Sequence, residues 1–227
     1  MLKQKKNVIL MILLITVICL AMAFVDAVIS PSYFIKSEIK LILFILLPIL
    51  FLWRTKQLGL GKEILRIDKQ KLRMPILLGV GVYFFIIGTY IIIGPFFDFS
   101  QVTVALANNY GVHKENFIGV ALYISFVNSL LEELFFRGFA FLILKKRTSK
   151  SFAYVFSSLA FALYHIAIMT GWFGLPLFLL LIVSLFLAGL LFNWLNEKCN
   201  NIYTSWLVHM CANFATNTIG FILFGIL

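Results

Sequence analysis

What most limits the folds open to this chain is a recurrence of apolar stretches about as long as a bilayer is thick, separated by short connections rich in Lys and Arg. Such runs lie at roughly Val8–Ser30, Ile39–Trp53, Pro75–Phe97, Phe117–Leu144, Phe152–Thr170, Leu175–Leu195 and Ile202–Phe224, against the ~20 residues a helix needs to cross hydrocarbon. In lipid the backbone has no water to bond, so such runs form helices that satisfy their own N–H and C=O groups. The expected architecture is therefore all-α, a polytopic transmembrane helix bundle of about seven spans. Composition excludes a soluble fold: 62% of residues are hydrophobic and only 12% charged, too few charges to cover a water-facing surface. The second run is the weakest, because only Leu41–Trp53 is free of charge and Pro48 interrupts it; a short, tilted or kinked span is expected there.

The formal net charge of +10 is explained by topology and by attraction to anionic headgroups rather than by nucleic acid, since the basic residues fall almost entirely between apolar runs. One set of alternate connections holds Lys3, Lys5, Lys6, Arg54, Lys56, Lys62, Arg66, Lys69, Lys71, Arg73, Lys145, Lys146, Arg147, Lys150 and Lys198. The other holds Lys36, Lys40 and Lys114, and Arg137 lies inside a span. This bias predicts a multi-pass plasma-membrane protein with its N-terminus in the cytoplasm and its C-terminus outside. Lys3, Lys5 and Lys6 ahead of an apolar run ending near Ala21-Met22-Ala23 imitate a signal peptide, but the run continues through Phe24 and Val25, so an uncleaved anchor is expected. Ile64, Leu65, Ile67 and Leu72 among the basic residues of Lys62–Arg73 fit either a short interfacial helix or a solvated loop. Cys19, Cys199 and Cys211 form no CxxC pair and indicate neither a disulfide nor a thiolate metal site.

Ionisable groups inside hydrocarbon are costly and mark function by default. Here they gather in the C-terminal half: Glu132, Glu133 and Arg137 in the fourth run, His165 in the fifth, His209 with Asn213 in the seventh. The chain thus divides into residues 1–116, three spans with the basic loop 54–73, and residues 117–227, which carry the chemistry on about four helices. Counting inward at about 1.5 Å per residue places Glu132, His165, His209 and Asn213 in the cytoplasmic half or near the midplane of their spans. Ser125, Asn128, Ser129 and Glu132 share one helical face, as do Ser205, His209, Asn213, Thr216 and Asn217. Ser and Thr in such stripes serve commonly as interhelical glue, but glue does not call for two carboxylates and two imidazoles. Glu133 lies one turn before Arg137, an i, i+4 neighbour, which leaves Glu132 as the carboxylate without a cation and the better candidate to accept and return a proton. The remaining features have plain explanations: His113 is a loop residue, Trp172, Trp194 and Trp206 are interfacial anchors, and Phe161 packs beside His165.

These residues form the motifs Glu132-Glu133-x-x-x-Arg137, Phe161-x-x-x-His165 and His209-x-x-x-Asn213. In that order on successive parts of a helical membrane domain they resemble the CPBP family, the CAAX proteases and bacteriocin-processing enzymes also called the Abi or type II CAAX prenyl endopeptidase family. The resemblance covers roughly Phe117 to Phe224. It implies an intramembrane endopeptidase, in which Glu132, helped by His165, activates a water while His209 and Asn213 support the oxyanion. Glu133, Arg137 and Phe161 then have structural roles. The substrate implied is a membrane-associated peptide or protein, lipidated ones included. No cofactor is favoured; the alternative is zinc on Glu132, His165 and His209, although the HExxH pairing is missing. Bacterial relatives are linked with bacteriocin self-immunity, so a non-catalytic immunity or regulatory protein is one alternative function. A proton-coupled transporter is the other, disfavoured because the polar residues do not occur in paired inverted halves.

Overall fold

In the computed structural model, which describes residues 2–67 and 72–227, each apolar run becomes a helix and no strand occurs among the described residues. The helices are α1 (2–29), α2 (33–54), α3 (58–64), α4 (73–96), α5 (100–110), α6 (117–143), α7 (150–169), α8 (175–199) and α9 (203–223). Sequence signals fix several starts. The Ser149 side chain accepts from the Phe152 N–H at 3.3 Å to cap α7, and Pro176 occupies the first turn of α8, where its missing N–H costs nothing. Apolar side chains are turned outward along the bundle, with Phe84, Phe85, Ile91 and Ile92 of α4 each more than 60% exposed, as expected of a lipid-facing surface.

Five helical stretches are long and apolar enough to cross a membrane, namely Lys5–Ile29, Arg73–Phe96, Phe117–Ile143, Lys150–Met169 and Leu175–Cys199. Helices α2 and α9 fall outside that set because Lys36, Glu38 and Lys40 dilute one and Ser205, His209, Asn213, Thr216 and Asn217 the other. The second run departs most from expectation. Instead of a short span starting at Ile39, α2 begins at Tyr33 and takes Lys36 and Lys40 into the helix, where both are buried. Pro48 is accommodated because the preceding residues Ile42–Leu46 make wide i→i+5 turns, and that spacing relieves the clash of a proline ring with the carbonyl one α-turn back. In the basic connection, helix α3 lies earlier than the Lys62–Arg73 segment expected and meets it only at residues 62–64; Lys69 and Lys71 lie outside the described residues. Residues 100–110, between the third and fourth apolar runs, form α5.

Packing centres on α6. Met11, Ile15, Ile18 and Met22 make one stripe of α1, and with Phe44 of α2 they share a buried core with Phe135, Phe136 and Phe139 of α6 and Phe161 and Tyr164 of α7. Phe44 stacks on Phe135 at 4.3 Å between centroids, so α2 is fitted directly against the helix that bears the two glutamates. Helix α4 packs along α9, and α7 along α8.

Candidate active site

Helix α6 changes its winding around the acidic pair: Ile124–Asn128 make wide turns, Ser129–Glu132 a single α turn, and Glu133–Ile143 wide turns again. Such segments are rare and recur at functional sites. Four of the helix's carbonyls accept side-chain donors from neighbours. Ala121 O takes Asn217 Nδ2 at 3.0 Å, Ile124 O takes Asn213 Nδ2 at 3.1 Å, Phe126 O takes Trp206 Nε1 at 3.2 Å, and Phe136 O takes Ser157 Oγ at 2.8 Å. The polar stripes of α6 and α9 thus face each other, with Asn217 also donating to Ser125 Oγ at 3.0 Å and Trp206 to Ser129 Oγ at 3.0 Å. For these residues the glue explanation holds, and Trp206 serves as an interhelical donor.

Glu133 is fully buried and holds three groups. Its Oε1 accepts from His209 Nδ1 at 2.9 Å, its Oε2 accepts from Ser205 Oγ, and Arg137 Nη1 lies 3.5 Å from Oε1. The expected neighbour of Arg137 is therefore present, but its hydrogen bonds go to His209 and Ser205. The guanidinium itself, with no hydrogen-bond partner among the described residues, is covered by rings: its Cζ sits 3.9 Å from the centroid of Phe161 and 4.9 Å from that of Phe192. Phe161 thus does more than pack beside His165, from which its ring is 4.7 Å away; it supplies a π face to a buried cation.

The expectation that Glu132 has no cation of its own is overturned. Lys40 of α2 donates to Glu132 Oε1 at 2.6 Å, and Asn128 Nδ2 to the same oxygen at 3.0 Å. The other carboxylate oxygen, Oε2, lies 3.7 Å from His209 Nε2, too far for a direct hydrogen bond. Because Glu133 takes the Nδ1 proton, the Nε2 edge of His209 is the one turned to Glu132, and Phe192 stacks on the ring at 5.4 Å to hold that orientation. His165 is fixed similarly. Its Nδ1 sits 2.7 Å from the Phe161 carbonyl, which can only accept, so in the neutral ring Nε2 keeps its lone pair; the Phe161 ring lies 4.7 Å from the His165 ring and 5.9 Å from that of His209, between centroids.

The four residues expected to act together therefore divide. Glu132 and His209 face each other and His165 shares the Phe161 ring with His209, while Asn213 spends one amide N–H on Ile124 and has a second to give. Lys40, the group that sequence reasoning missed, stands at the margin of an apolar run among the charges of a connection; its i, i+4 spacing from Lys36 is the available signal. Among the described residues no three His, Cys, Asp or Glu side chains are arranged to hold a metal ion. Outside the cluster, an apolar cavity of about 500 Å³ runs between α4, α6 and α9, walled by Val80, Phe84, Ile118, Leu122 and Phe214 with Asn217 at its side; several of these walls are themselves exposed to lipid.

Residues 114–215 match the family model of the type II CAAX prenyl endopeptidase Rce1-like proteins. This segment is Rce1-like. It contains all three motifs and so agrees with the resemblance that they carry. Rce1-like proteins are a protease family, and the match supports a CAAX-type protease in a chain whose helices suit a membrane. No curated protein and no solved structure matches the chain. Lys40 lies well outside the Rce1-like segment, on a helix for which the comparison gives no relative.

Proposed function

We propose that this chain is an intramembrane endopeptidase that hydrolyses a peptide bond of a membrane-associated peptide or protein by direct attack of water, without a covalent intermediate. The observation that carries the reading is the pair of carboxylates around one imidazole: Glu133 anchors His209 through Nδ1, and Glu132 presents a free oxygen to the opposite edge of the ring. Glu132 Oε2 takes a proton from water as its oxygen attacks the carbonyl carbon, and the same proton passes to the amine nitrogen as the C–N bond breaks. His165 Nε2 assists the first transfer. His209, through its Nε2 edge, and the second amide N–H of Asn213 support the developing oxyanion. The apolar cavity between α4, α6 and α9 suits a substrate that arrives in the membrane, lipidated or not.

The test is comparative mass spectrometry of membrane and secreted peptides from cells carrying either the wild type or Glu132→Gln. Cleavage products present only with the wild type support the reading, and identical peptide sets with equal protein levels overturn it. Metal analysis of active enzyme then addresses the chemistry. One zinc per chain, with activity lost on its removal and restored by its return, would replace the metal-free mechanism and leave the protease reading standing.

A further inference from the structure

Lys40 is 3% exposed, and two of the three N–H donors of its ammonium are hydrogen-bonded. It donates to Glu132 Oε1 and to Asn128 Oδ1, both at 2.6 Å, and the rings of Phe44 and Tyr164 lie 5.2 and 5.0 Å from Nζ. A cation so enclosed is shut off from solvent. Its effect is on Glu132: with Oε1 tied by Lys40 and Asn128, the carboxylate cannot turn, and Oε2 is the oxygen left facing His209. One turn earlier on α2, Lys36 forms a buried ion pair with Asp26 of α1 and lies over the Tyr110 ring at 4.4 Å. This second pair pins the helix that delivers Lys40.

We infer that Lys40 is a positioning residue for the reaction proposed above, and that the active site is completed by a helix outside the Rce1-like segment. The inference rests on Glu132 being the group that activates water. Unpairing a buried carboxylate alters both its charge and its placement, and displacement of a reacting group by about 1 Å can lower a rate about a hundredfold.

The experiment uses the full chain purified in detergent and a reporter peptide spanning a cleavage site that depends on Glu132. Lys40→Met is expected to lower kcat about a hundredfold with KM little changed, and Lys40→Arg to recover part of the loss. Asp26→Asn, which breaks the neighbouring ion pair of α2, is expected to reduce thermal stability while keeping most of kcat. If Lys40→Met retains wild-type kcat, or if Asp26→Asn lowers kcat equally at the same loss of stability, Lys40 is a structural residue and the proposal falls. A readout without catalysis separates the two readings. In thermal unfolding, the Lys40→Met/Glu132→Gln double variant should be more stable than the sum of the single losses predicts, because each single change strands one buried charge. Strict additivity would refute the pairing itself. Coupling without any Glu132-dependent cleavage would leave the ion pair standing and remove both the protease reading and the catalytic purpose of Lys40.

Discussion

At the residue scale the two adjacent glutamates differ in what they hold. Each has a buried cation, so removing either carboxylate strands a charge, a change that costs about 3–5 kcal/mol where buried pairs are broken. The losses should nonetheless be unequal. Lys40 keeps its bond to Asn128, whereas Arg137 has no hydrogen-bond partner among the described residues and its guanidinium stays charged. We therefore expect folded yield, measured by fluorescence-detected size exclusion, to fall in the order wild type, Glu132→Gln, Glu133→Gln. The reverse order would assign the main structural role to Glu132. Glu133→Gln should also cut turnover, since it alters the anchor of His209. Phe161→Leu removes the ring over Arg137 and should destabilise by about 2 kcal/mol for a desolvated cation–π contact, read as a lower midpoint of thermal unfolding. The motif residues were legible in sequence because an ionised side chain in an apolar run has no cheap explanation. Lys40 was not, because hydropathy trims a span at its first charges, and its partner lies 92 positions away.

Among the elements, helix existence was plain from the apolar runs, but winding was not. Whether a turn closes at i+4 or i+5 depends on what the neighbours offer the displaced carbonyls, and those donors come from α7 and α9. Close approach of helices was equally invisible. A Cβ on Gly189 of α8 would stand 2.9 Å from Ser158 Cβ and 3.0 Å from its Cα, so α7 and α8 meet backbone to backbone. One turn further along α8, Asn193 Nδ2 reaches Ser158 Oγ at 3.1 Å and the Tyr154 carbonyl at 3.2 Å. Gly189→Ala should push the helices apart and cost about 1–3 kcal/mol as an overpacked core does, seen in thermal unfolding; an unchanged midpoint would mean the contact gives way easily. Helix α3 is held from outside: Glu63 accepts from Lys146 at 2.6 Å and from Asn200 at 2.9 Å, while Ile202 N–H bonds the Ile64 carbonyl at 3.2 Å. The Lys146 hydrogen bond, then that of Asn200, holds the Glu63 carboxyl below its usual range. A carboxyl depressed on docking favours the docked state above its ordinary titration range and loses that contribution as pH falls through the lowered value. Hydrogen exchange at the Ile202 amide, corrected for its intrinsic pH dependence, should therefore show α3 loosening in acid, and Lys146→Gln should remove most of that dependence.

For the whole molecule the decisive pattern is which helix ends come together. Lys145 and Lys150 both pair with Glu197, at 3.2 and 2.8 Å, and Lys146 joins Glu63. These contacts gather the α6–α7 connection, the end of α8 and helix α3 on one face of the bundle, all from the basic set of connections. On the opposite face Tyr110, Val112, Phe117 and Phe224 pack together, and Lys114 donates to the Gly225 carbonyl at 2.7 Å. The fifteen-to-three division of basic residues in the sequence is sharpened by this arrangement, because Lys36 and Lys40 are buried in ion pairs and leave Lys114 as the lysine of that set exposed on its face. Orientation by positive charge then favours the Lys145–Lys150 face in the cytoplasm. Reporter fusions after Lys6 and after Lys150 should be active in the cytoplasm, and one at Leu227 outside. The same pattern should persist when Lys36 and Lys40 are both replaced by Gln, since neither contributes to the exposed charge of its face. A reporter at Leu227 active only in the cytoplasm would reverse the topology, and a change of orientation in the double variant would show that the two lysines act during insertion before their partners are in place.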